Sequence, residues 1–416
     1  MVHRGSVRPN PAYAGAEFDV VCWATLTGML SGSIPPHPSP RPAANPTARP
    51  GLRRVLGYGA LVTVFLVCWV LLAVFNGMAF GVQLASLTAL LAALPLLVVV
   101  PVYLWLDRLE AEPARYLVFA FLWGALCAPV GALLLNTTAE VMLMKSGFAQ
   151  ADSLTAILAA PPVEEGLKGL AVLAIAVIRR REFDGVIDGI VYAGLAGAGF
   201  AFSENIVYLA QAFQEQGAES LTIVFVLRCV MGPFAHPLFT AFIGIGLGLG
   251  VAVARTTTGR VGFGTLGYLC AILLHGIWNA SATVGVYFET YFFFQVPIFI
   301  GFVVLIAVLR HRESATIRRF LSRYADAGWF SHQEVAMLAS ASGRRAARRW
   351  AKARGAAAGQ AMRSFQDAAS ALALLRSRMH RGVAETAAIE HERVLLDAIT
   401  SSRRVFTGGS VLTGAR

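Results

Sequence analysis

The 416-residue sequence is poor in charged residues, and the shortage is confined to one part of the chain. Asp, Glu, Lys and Arg make up 14% of the residues, against roughly 25% in an ordinary soluble globular protein. Nearly all of the deficit falls between residues 55 and 309, and the mean hydropathy is positive. The composition therefore excludes an ordinary soluble protein and predicts an all-α, polytopic membrane helix bundle.

Cysteine is also scarce, with five residues and no CxxC pair. Four of the five lie within apolar segments, where a cysteine behaves as a small core residue. This pattern excludes a disulfide framework and a thiolate metal site. Phosphate-binding loops are absent too, because the glycines of "YAGLAGAGF" (192–200) and "GIGLGLG" (244–250) lie inside apolar spans and favour close helix packing.

The net charge of +11 belongs to the C-terminal region. Residues 310–416 contain 19 Arg and Lys against 8 Asp and Glu, whereas the first 309 residues contain 16 of each kind. A basic tail next to a membrane usually lies in the cytoplasm and faces anionic lipid. We therefore expect contact with the lipid bilayer and no nucleic-acid partner.

Apolar stretches long enough to cross about 30 Å of hydrocarbon divide the chain. Eight such spans are predicted: 56–77, 84–106, 116–136, 154–178, 186–212, 222–253, 261–287 and 291–309. With both termini in the cytoplasm, the arginine-bearing loops all fall inside and the alternate loops are nearly free of basic charge, as the positive-inside rule requires. We expect a multi-pass protein of the cell membrane.

The two ends of the chain differ from this membrane domain, which we place at residues 55–309. Residues 1–54 are rich in Pro, Arg, Ala and Ser and are predicted to be a disordered cytoplasmic tail without a signal peptide. Residues 310–416 are rich in Ala and Arg with apolar residues at helical spacing. The stretch "RRAARRWAKARGAAAGQAMRSFQDAASALALLRSRM" (344–379) predicts one or two cytoplasmic helices, which either lie on the inner leaflet or are solvated.

Three charged residues interrupt the fourth predicted span in the stretch "PPVEEGLKGL" (161–170). A charge at mid-bilayer costs at least about 2.5–3.5 kcal/mol on insertion scales, so it marks function by default. The proline pair suits the first position of a new helical segment, which predicts Glu164 and Glu165 in its opening turn. Lys168 is three or four residues further on and can meet either carboxylate. Two carboxylates this close repel each other, so one of them binds a proton more readily than an isolated carboxylate does. That carboxylate is able to accept a proton near neutral pH.

The next three spans carry Glu204, His236 and His275, and the last of these helices also carries Asn279. At a rise of 1.5 Å per residue, the depth below the outer edge of the span is roughly 12–21 Å for Glu164, Glu204, His236 and His275. We therefore expect the four groups to converge on one buried site. Two other sets of residues favour structural roles. Arg228 near the outer end of its span suggests an interfacial anchor, and Asp184 and Asp188 suggest a helix cap or partners for Arg179–Arg181.

These motifs resemble the PrsW family of intramembrane proteases, which is distantly related to the membrane proteases that process prenylated CaaX proteins. The resemblance covers roughly residues 84–309 and rests on an ordered set of motifs: EExxK (Glu164, Glu165, Lys168), "DGIVY" from Asp188, "GFAFSEN" with Glu204 and Asn205, a mid-span His236, and HGxWN (His275 to Asn279). It implies hydrolysis of a peptide bond in membrane-anchored protein substrates, such as anti-sigma-factor-like regulators.

The predicted catalytic set is Glu164, Glu165, Lys168, Glu204, His236, His275 and Asn279. In this hypothesis Glu164 or Glu165 is the general base for a water molecule, and the histidines and Asn279 donate to the oxyanion. Glu204 orients the water or a histidine, and Lys168 holds the glutamate pair. No serine or cysteine is paired with a base, which disfavours a covalent route.

Three alternatives remain open at this stage. Two histidines with one or two glutamates suit a hydrolytic zinc site, but no HExxH motif is present and Lys168 adds a cation, so no cofactor is favoured. Buried Glu, Lys and His also suit a proton-coupled transporter, although no inverted repeat is visible. The third alternative is a non-catalytic membrane scaffold whose tail recruits partners.

Overall fold

The computed structural model describes residues 52–107, 112–179, 183–382 and 387–407. The disorder predicted for the N-terminal tail therefore falls almost wholly outside the described residues. Within them the chain is built from α-helices joined by short turns. The prediction of an all-α fold is confirmed.

The apolar part of the chain forms nine helices within the described residues, which we number in chain order. Their bounds are α1 Leu52–Phe80, α2 Val82–Ala93, α3 Leu96–Leu106, α4 Ala114–Lys145, α5 Ala160–Ile178, α6 Val186–Phe225, α7 Ala235–Val253, α8 Thr257–Thr283 and α9 Tyr287–Asp326. Helix α5 continues a short helical stretch that begins at Ala151.

Six helical segments in the described part of the chain are long and apolar enough to cross a membrane. One of them, Val186–Val253, is 68 residues long and contains both α6 and α7. Gly217 has a left-handed φ of 75° and interrupts α6, so this segment is not one straight crossing. The charged helix α5 is not among the six. The polytopic membrane fold is confirmed, and the count of eight crossings stays a prediction.

Proline shapes the helices at regular places. Four π-helical turns occur within the described residues, and each ends two residues before a proline: Trp123–Cys127, Thr155–Ala159, Val226–Met231 and Tyr291–Gln295. A proline has no N–H and its ring clashes with the carbonyl four residues earlier, so the preceding turn widens. Two of these turns directly precede the helices that carry the charged residues of α5 and His236 of α7.

Helices α6 and α7 pack in antiparallel orientation through glycines. A Cβ atom added to Gly189 would lie 2.0 Å from the Gly244 carbonyl oxygen, and one added to Gly197 would lie 2.7 Å from the His236 carbonyl oxygen. Only a residue without a side chain allows backbones to approach this closely. The packing function predicted for these two glycine-rich stretches therefore agrees with the structure, and the close contact fixes the position of His236.

Two loops of the bundle and the C-terminal helices lie at the same end of the bundle. Arg378 Nη1 lies 2.9 Å from Asp184 Oδ2 in the turn between α5 and α6, and Arg255 Nη2 donates to the Arg381 carbonyl oxygen at 3.4 Å. Asp188 accepts hydrogen bonds of 2.8 Å from the backbone N–H groups of Asp184 and Gly185, so it caps α6 as expected. Burial raises the pKa of Asp184 although Arg378 opposes the shift. These contacts place the loops between α5 and α6 and between α7 and α8 on the side of the C-terminal region.

The C-terminal region is a packed helical unit. The end of α9 is followed by α10 His332–Leu338, α11 Ala341–Lys352, α12 Ala356–Arg381 and α13 Ala388–Phe406. The stretch 344–379, for which one or two helices are predicted, contains α11 and α12, and Gly355 at positive φ separates them. The apolar faces of these helices share one core that includes Phe320, Leu338, Phe365, Leu372 and Ile399.

We expect Gly189→Ala to destabilise the bundle by about 1–3 kcal/mol, because the new methyl group overlaps the backbone of α7. Chemical unfolding of the purified protein in detergent, followed by circular dichroism, measures the change. Gly59→Ala is the matched control, since a Cβ at that position of α1 meets no atom within 4 Å. Equal stability of the two variants would contradict the close contact between α6 and α7.

Candidate active site

The carboxylate of Glu165 lies at the centre of a buried polar cluster. Lys168 Nζ is 2.5 Å from Glu165 Oε1, His275 Nδ1 is 2.9 Å from the same oxygen, and Thr240 Oγ1 donates to Oε2 at 2.9 Å. The side chains of Glu165 and Lys168 are both 0% exposed. Glu165 thus accepts from donors on α5, α7 and α8, and both of its oxygens are occupied.

Glu164, one residue earlier, has a different environment. Its Oε1 accepts a hydrogen bond of 3.2 Å from Asn136 Nδ2 of α4, whereas its buried Oε2 has no hydrogen-bond partner. This free oxygen lies 3.7 Å from His275 Nε2. A buried carboxylate oxygen without a partner is costly, so this atom is the place in the cluster where a water molecule or substrate group is most favourably bound.

The contacts of His275 determine which of its ring nitrogens carries the proton. A carboxylate accepts, so the Nδ1–H of His275 donates to Glu165 and Nε2 of the neutral ring carries the lone pair. Nε2 and Glu164 Oε2 are then two acceptors that face each other across 3.7 Å. A water molecule between them would donate one proton to each. The two acceptors are therefore close enough to share the two protons of one water molecule.

His236 is held by two partners on opposite sides of its ring. Because the Lys168 ammonium only donates, Nδ1 of His236 accepts at 3.3 Å, and its Nε2–H then donates to Glu204 Oε2 at 2.7 Å. Glu204 is also paired with Arg228, whose Nε donates to Asn205 Oδ1 at 2.8 Å. The rings of His236 and His275 lie edge to face with centroids 5.0 Å apart. Glu204 therefore contacts one of the two histidines, and its role in catalysis stays a prediction.

Aromatic rings surround the cluster and limit its contact with water. Lys168 Nζ lies 4.3 Å above the centre of the Phe200 ring, and Phe239 stacks on His275 at 5.4 Å. A small cavity of about 20 Å³ adjoins His236 and Arg228 and is also lined by Trp278. A cavity needs about 10–15 Å³ to accommodate one water molecule, so this space holds about one.

Asn279 lies apart from the carboxylates. Its Nδ2 donates at 2.8 Å to the Ala156 carbonyl oxygen in the π-helical turn before α5. This bond ties α8 to the beginning of the chain segment that carries Glu164. A role for Asn279 as an oxyanion donor stays a prediction.

The prediction that a new helical segment begins at the proline pair was wrong. Pro161 and Pro162 are the second and third residues of α5, but the helix continues from Ala151 through the π-helical turn. Its N–H groups at this point are not a free helix terminus, so the helix dipole does not explain the two glutamates. Hydrogen bonds and the Lys168 ammonium stabilise them instead.

Three residues of the cluster were not identified as site residues from the sequence. Asn136 lies in a common tripeptide, Thr240 is one small polar residue in an apolar run, and Arg228 looked like an interfacial anchor. The only available signal was a polar residue at the depth of the predicted site. Arg228 in fact pairs with Glu204 and offsets its charge.

Three residues of the cluster are close enough together to be considered as metal ligands. Single ligand atoms of Glu164, His236 and His275 lie within 4.8 Å of one another. Glu164 Oε2 and His275 Nε2 are 3.7 Å apart, but both ring nitrogens of His236 are engaged by Lys168 and Glu204. Catalytic zinc sites use three protein ligands. The set as placed offers two, next to an ammonium group, and does not fit a zinc site.

Comparisons with known proteins agree with the motifs. The family model described as PrsW family intramembrane metalloprotease matches residues 112–307. Protease PrsW of Clostridioides difficile (strain 630) is 30% identical over 190 residues, which cover 44% of this chain and 76% of that protein. Protease PrsW of Oceanobacillus iheyensis is 31% identical over 178 residues, covering 42% of this chain and 74% of that protein.

Protease PrsW of Geobacillus kaustophilus (strain HTA426) is 28% identical over 174 residues, covering 42% of this chain and 69% of that protein. No solved structure matches the chain. The region matched by the family model contains all seven predicted site residues and ends before the C-terminal helices.

The two adjacent glutamates should differ in their importance for stability. We expect Glu165→Gln to cost about 3–5 kcal/mol, because it leaves the buried Lys168 ammonium without its counter-ion. Glu164→Gln should cost less, since the amide oxygen can still accept from Asn136. Unfolding midpoints in detergent measure both changes.

The double variant Glu165→Gln/Lys168→Met tests whether the unpaired Lys168 ammonium is the reason for the stability lost in Glu165→Gln. Removing the unpaired ammonium should restore part of the stability lost in Glu165→Gln. No restoration, or equal losses for the two single variants, would contradict the assignment of Glu165 as the carboxylate that neutralises Lys168.

Proposed function

Because this chain belongs to the PrsW family of intramembrane proteases, we propose that it hydrolyses a peptide bond of membrane-anchored protein substrates with Glu164 as the general base. The observation that carries this assignment is the unpartnered, buried Oε2 of Glu164, which faces the lone pair of His275 Nε2 at 3.7 Å. Glu165 is a poorer candidate because three donors already occupy its oxygens.

In the proposed reaction, a water molecule lies between Glu164 and His275 and attacks the substrate carbonyl carbon. Glu164 takes one proton of this water as the new C–O bond forms, and the carbonyl oxygen becomes an oxyanion. The proton on Glu164 then passes to the amide nitrogen, and the C–N bond breaks to give an amine and a carboxylic acid. Water is the only co-reactant.

The remaining residues position this pair. Glu165 fixes the ring of His275 through Nδ1, and Lys168 neutralises Glu165. Glu204 fixes His236 through Nε2, with Arg228 as the counter-ion of Glu204. We assign oxyanion stabilisation to His236 and Asn279, each of which must turn from its present acceptor to the substrate. His275 is not assigned this role, because its Nδ1–H donates to Glu165 and its Nε2 accepts from the water. The cluster lies within helices of a membrane bundle, so a membrane-anchored segment reaches it more readily than a soluble peptide.

The C-terminal side of the bundle is proposed to be cytoplasmic. The loop ends that contact the C-terminal helices belong to the arginine-bearing loops, and such loops stay inside. The exposed arginines of α11, such as Arg345 and Arg349, are proposed to face anionic lipid of the inner leaflet. Regulators of the anti-sigma-factor kind are candidate substrates of the proposed activity.

Glu164→Gln should reduce cleavage by about 10²–10⁴-fold, because glutamine cannot take a proton from water. Purified enzyme is incubated with membranes of the source organism, and newly formed N termini in or beside apolar segments are quantified by mass spectrometry. Glu215→Gln, the same change at an exposed position of α6, is the control and should leave cleavage unchanged. New N termini that persist with Glu164→Gln would remove Glu164 from the mechanism.

Cleavage that depends on Glu164 should survive removal of metal ions by a chelator. The physical reason is that the ring of His236 is engaged on both sides, which leaves two protein ligands for a metal. The measurement combines cleavage rates with the zinc content of the purified protein. Loss of cleavage on chelation, its return with zinc, and a zinc content that falls in His275→Ala would contradict a metal-independent reaction.

A further inference from the structure

A groove in the membrane domain is not used by the proposed chemistry. It has a volume of about 560 Å³ and lies between α5, α7 and α8. One end reaches Glu165, and the other end is lined by Arg260 of α8 together with Arg378 and His391 of the C-terminal helices. The groove therefore runs from the buried cluster to the side of the bundle that carries the C-terminal region.

The dimensions of the groove limit what can occupy it. Along α5 it extends from Glu165 to Val177, which is about 18 Å at 1.5 Å per residue. This length is close to one leaflet, which is half of about 30 Å of hydrocarbon, so an extended chain as long as one leaflet fits along the groove.

The chemistry of the walls distinguishes between two kinds of extended chain. The middle of the groove is lined by aliphatic side chains such as Leu170, Leu173, Leu247 and Val261. The helices behind them have already paired their own backbone groups. An unwound peptide here would leave its N–H and C=O groups unpaired, at several kcal/mol each, whereas an acyl chain has no such groups. Leu170 and Leu173 are 48% and 44% exposed, so the groove is open sideways to the bilayer.

The mouth of the groove is positively charged. Arg260 is exposed there, and Arg378 contributes a guanidinium group that is paired with Asp184. Arg255 and Arg381 are joined by a hydrogen bond on the same side of the bundle, and burial, with the neighbouring Arg378, lowers the pKa of Arg381. Basic groups between helix ends at the cytoplasmic surface are suited to the phosphate of an anionic lipid.

We propose that the groove binds one anionic phospholipid of the leaflet on the C-terminal side. Its phosphate lies among Arg260, Arg378 and His391, and one acyl chain lies between α5 and α8 with its end next to Glu165. The acyl chain fills apolar space and keeps water away from that side of the cluster. This binding does not require the protein to be a protease, so it can be tested separately.

The test uses the purified full chain in detergent and two lipids with identical palmitoyl and oleoyl tails. Phosphatidylglycerol is the anionic probe and phosphatidylcholine is the zwitterionic reference, and bound lipid is counted by native mass spectrometry during titration. We expect one phosphatidylglycerol to bind saturably and more tightly than phosphatidylcholine. Arg260→Gln should weaken phosphatidylglycerol binding by about fivefold, the effect of one arginine at a membrane surface.

Val261→Trp tests the acyl-chain part of the groove, because its indole would occupy the space of the chain and prevent binding of either lipid there. Arg318→Gln, which removes an exposed arginine of α9 outside the groove, is the matched control and should bind like the unchanged protein. Phosphatidylglycerol should also raise the melting temperature of the unchanged protein but not of Val261→Trp, provided that both melt cooperatively without lipid.

Three results would overturn the proposal. Equal affinity for the two lipids would show that the groove has no site for an anionic head group. Equal losses of phosphatidylglycerol affinity in Arg260→Gln and Arg318→Gln would show that only the general surface charge attracts the lipid. Unchanged lipid binding in Val261→Trp would show that no acyl chain lies in the groove, and an unwound substrate segment would then be the favoured occupant. None of these results depends on cleavage, so failure here is distinguishable from failure of the proposed proteolysis.

Discussion

The carboxylate of Glu165 is the constraint on which the centre of this molecule depends. Placing a carboxylate and an ammonium in a dry interior costs several kcal/mol per ion unless every charge and lone pair is matched. Glu165 meets this condition with Lys168 on its own helix, Thr240 on α7 and His275 on α8. Because these partners come from three helices, the ion pair is stable only when α5, α7 and α8 are in their observed arrangement. The glycine contact between α6 and α7 then brings His236 to the same place.

The neighbouring Glu164 is different because adjacent residues of a helix point about 100° apart. If Glu165 faces α7 and α8, Glu164 must face the next sector, where α4 provides Asn136 but leaves one oxygen without a donor. In the proposed mechanism the pair divides two tasks that one carboxylate could not perform together. A general base needs a free oxygen, whereas a structural counter-ion needs both oxygens occupied.

The membrane fold and most of the site were predictable, because a charge in an apolar span is informative by itself. The sequence predicts one depth for Glu164, Glu204, His236 and His275, and Glu165 and Lys168 belong to the same helix as Glu164. The structure brings these six side chains together in one cluster. The division of labour between the glutamates was not predictable, since the sequence does not show which sector of α5 faces which helix. Thr240 and Asn136 were missed because uncharged polar residues are common in membrane helices.

The C-terminal helices show how far composition reaches: it predicts helices but not the way they pack. Their alanine and arginine content predicts helices, but the breaks at Gly328 and Gly355 and the shared core around Phe365 depend on tertiary packing. This region lies outside the part matched by the family model, which ends at residue 307. The described contacts of the candidate catalytic residues all come from within that part, whereas the C-terminal helices contribute Arg378 and His391 to the mouth of the groove. The C-terminal unit therefore borders the groove on one side of the bundle, whereas the candidate catalytic residues lie on helices within the part that the family model matches.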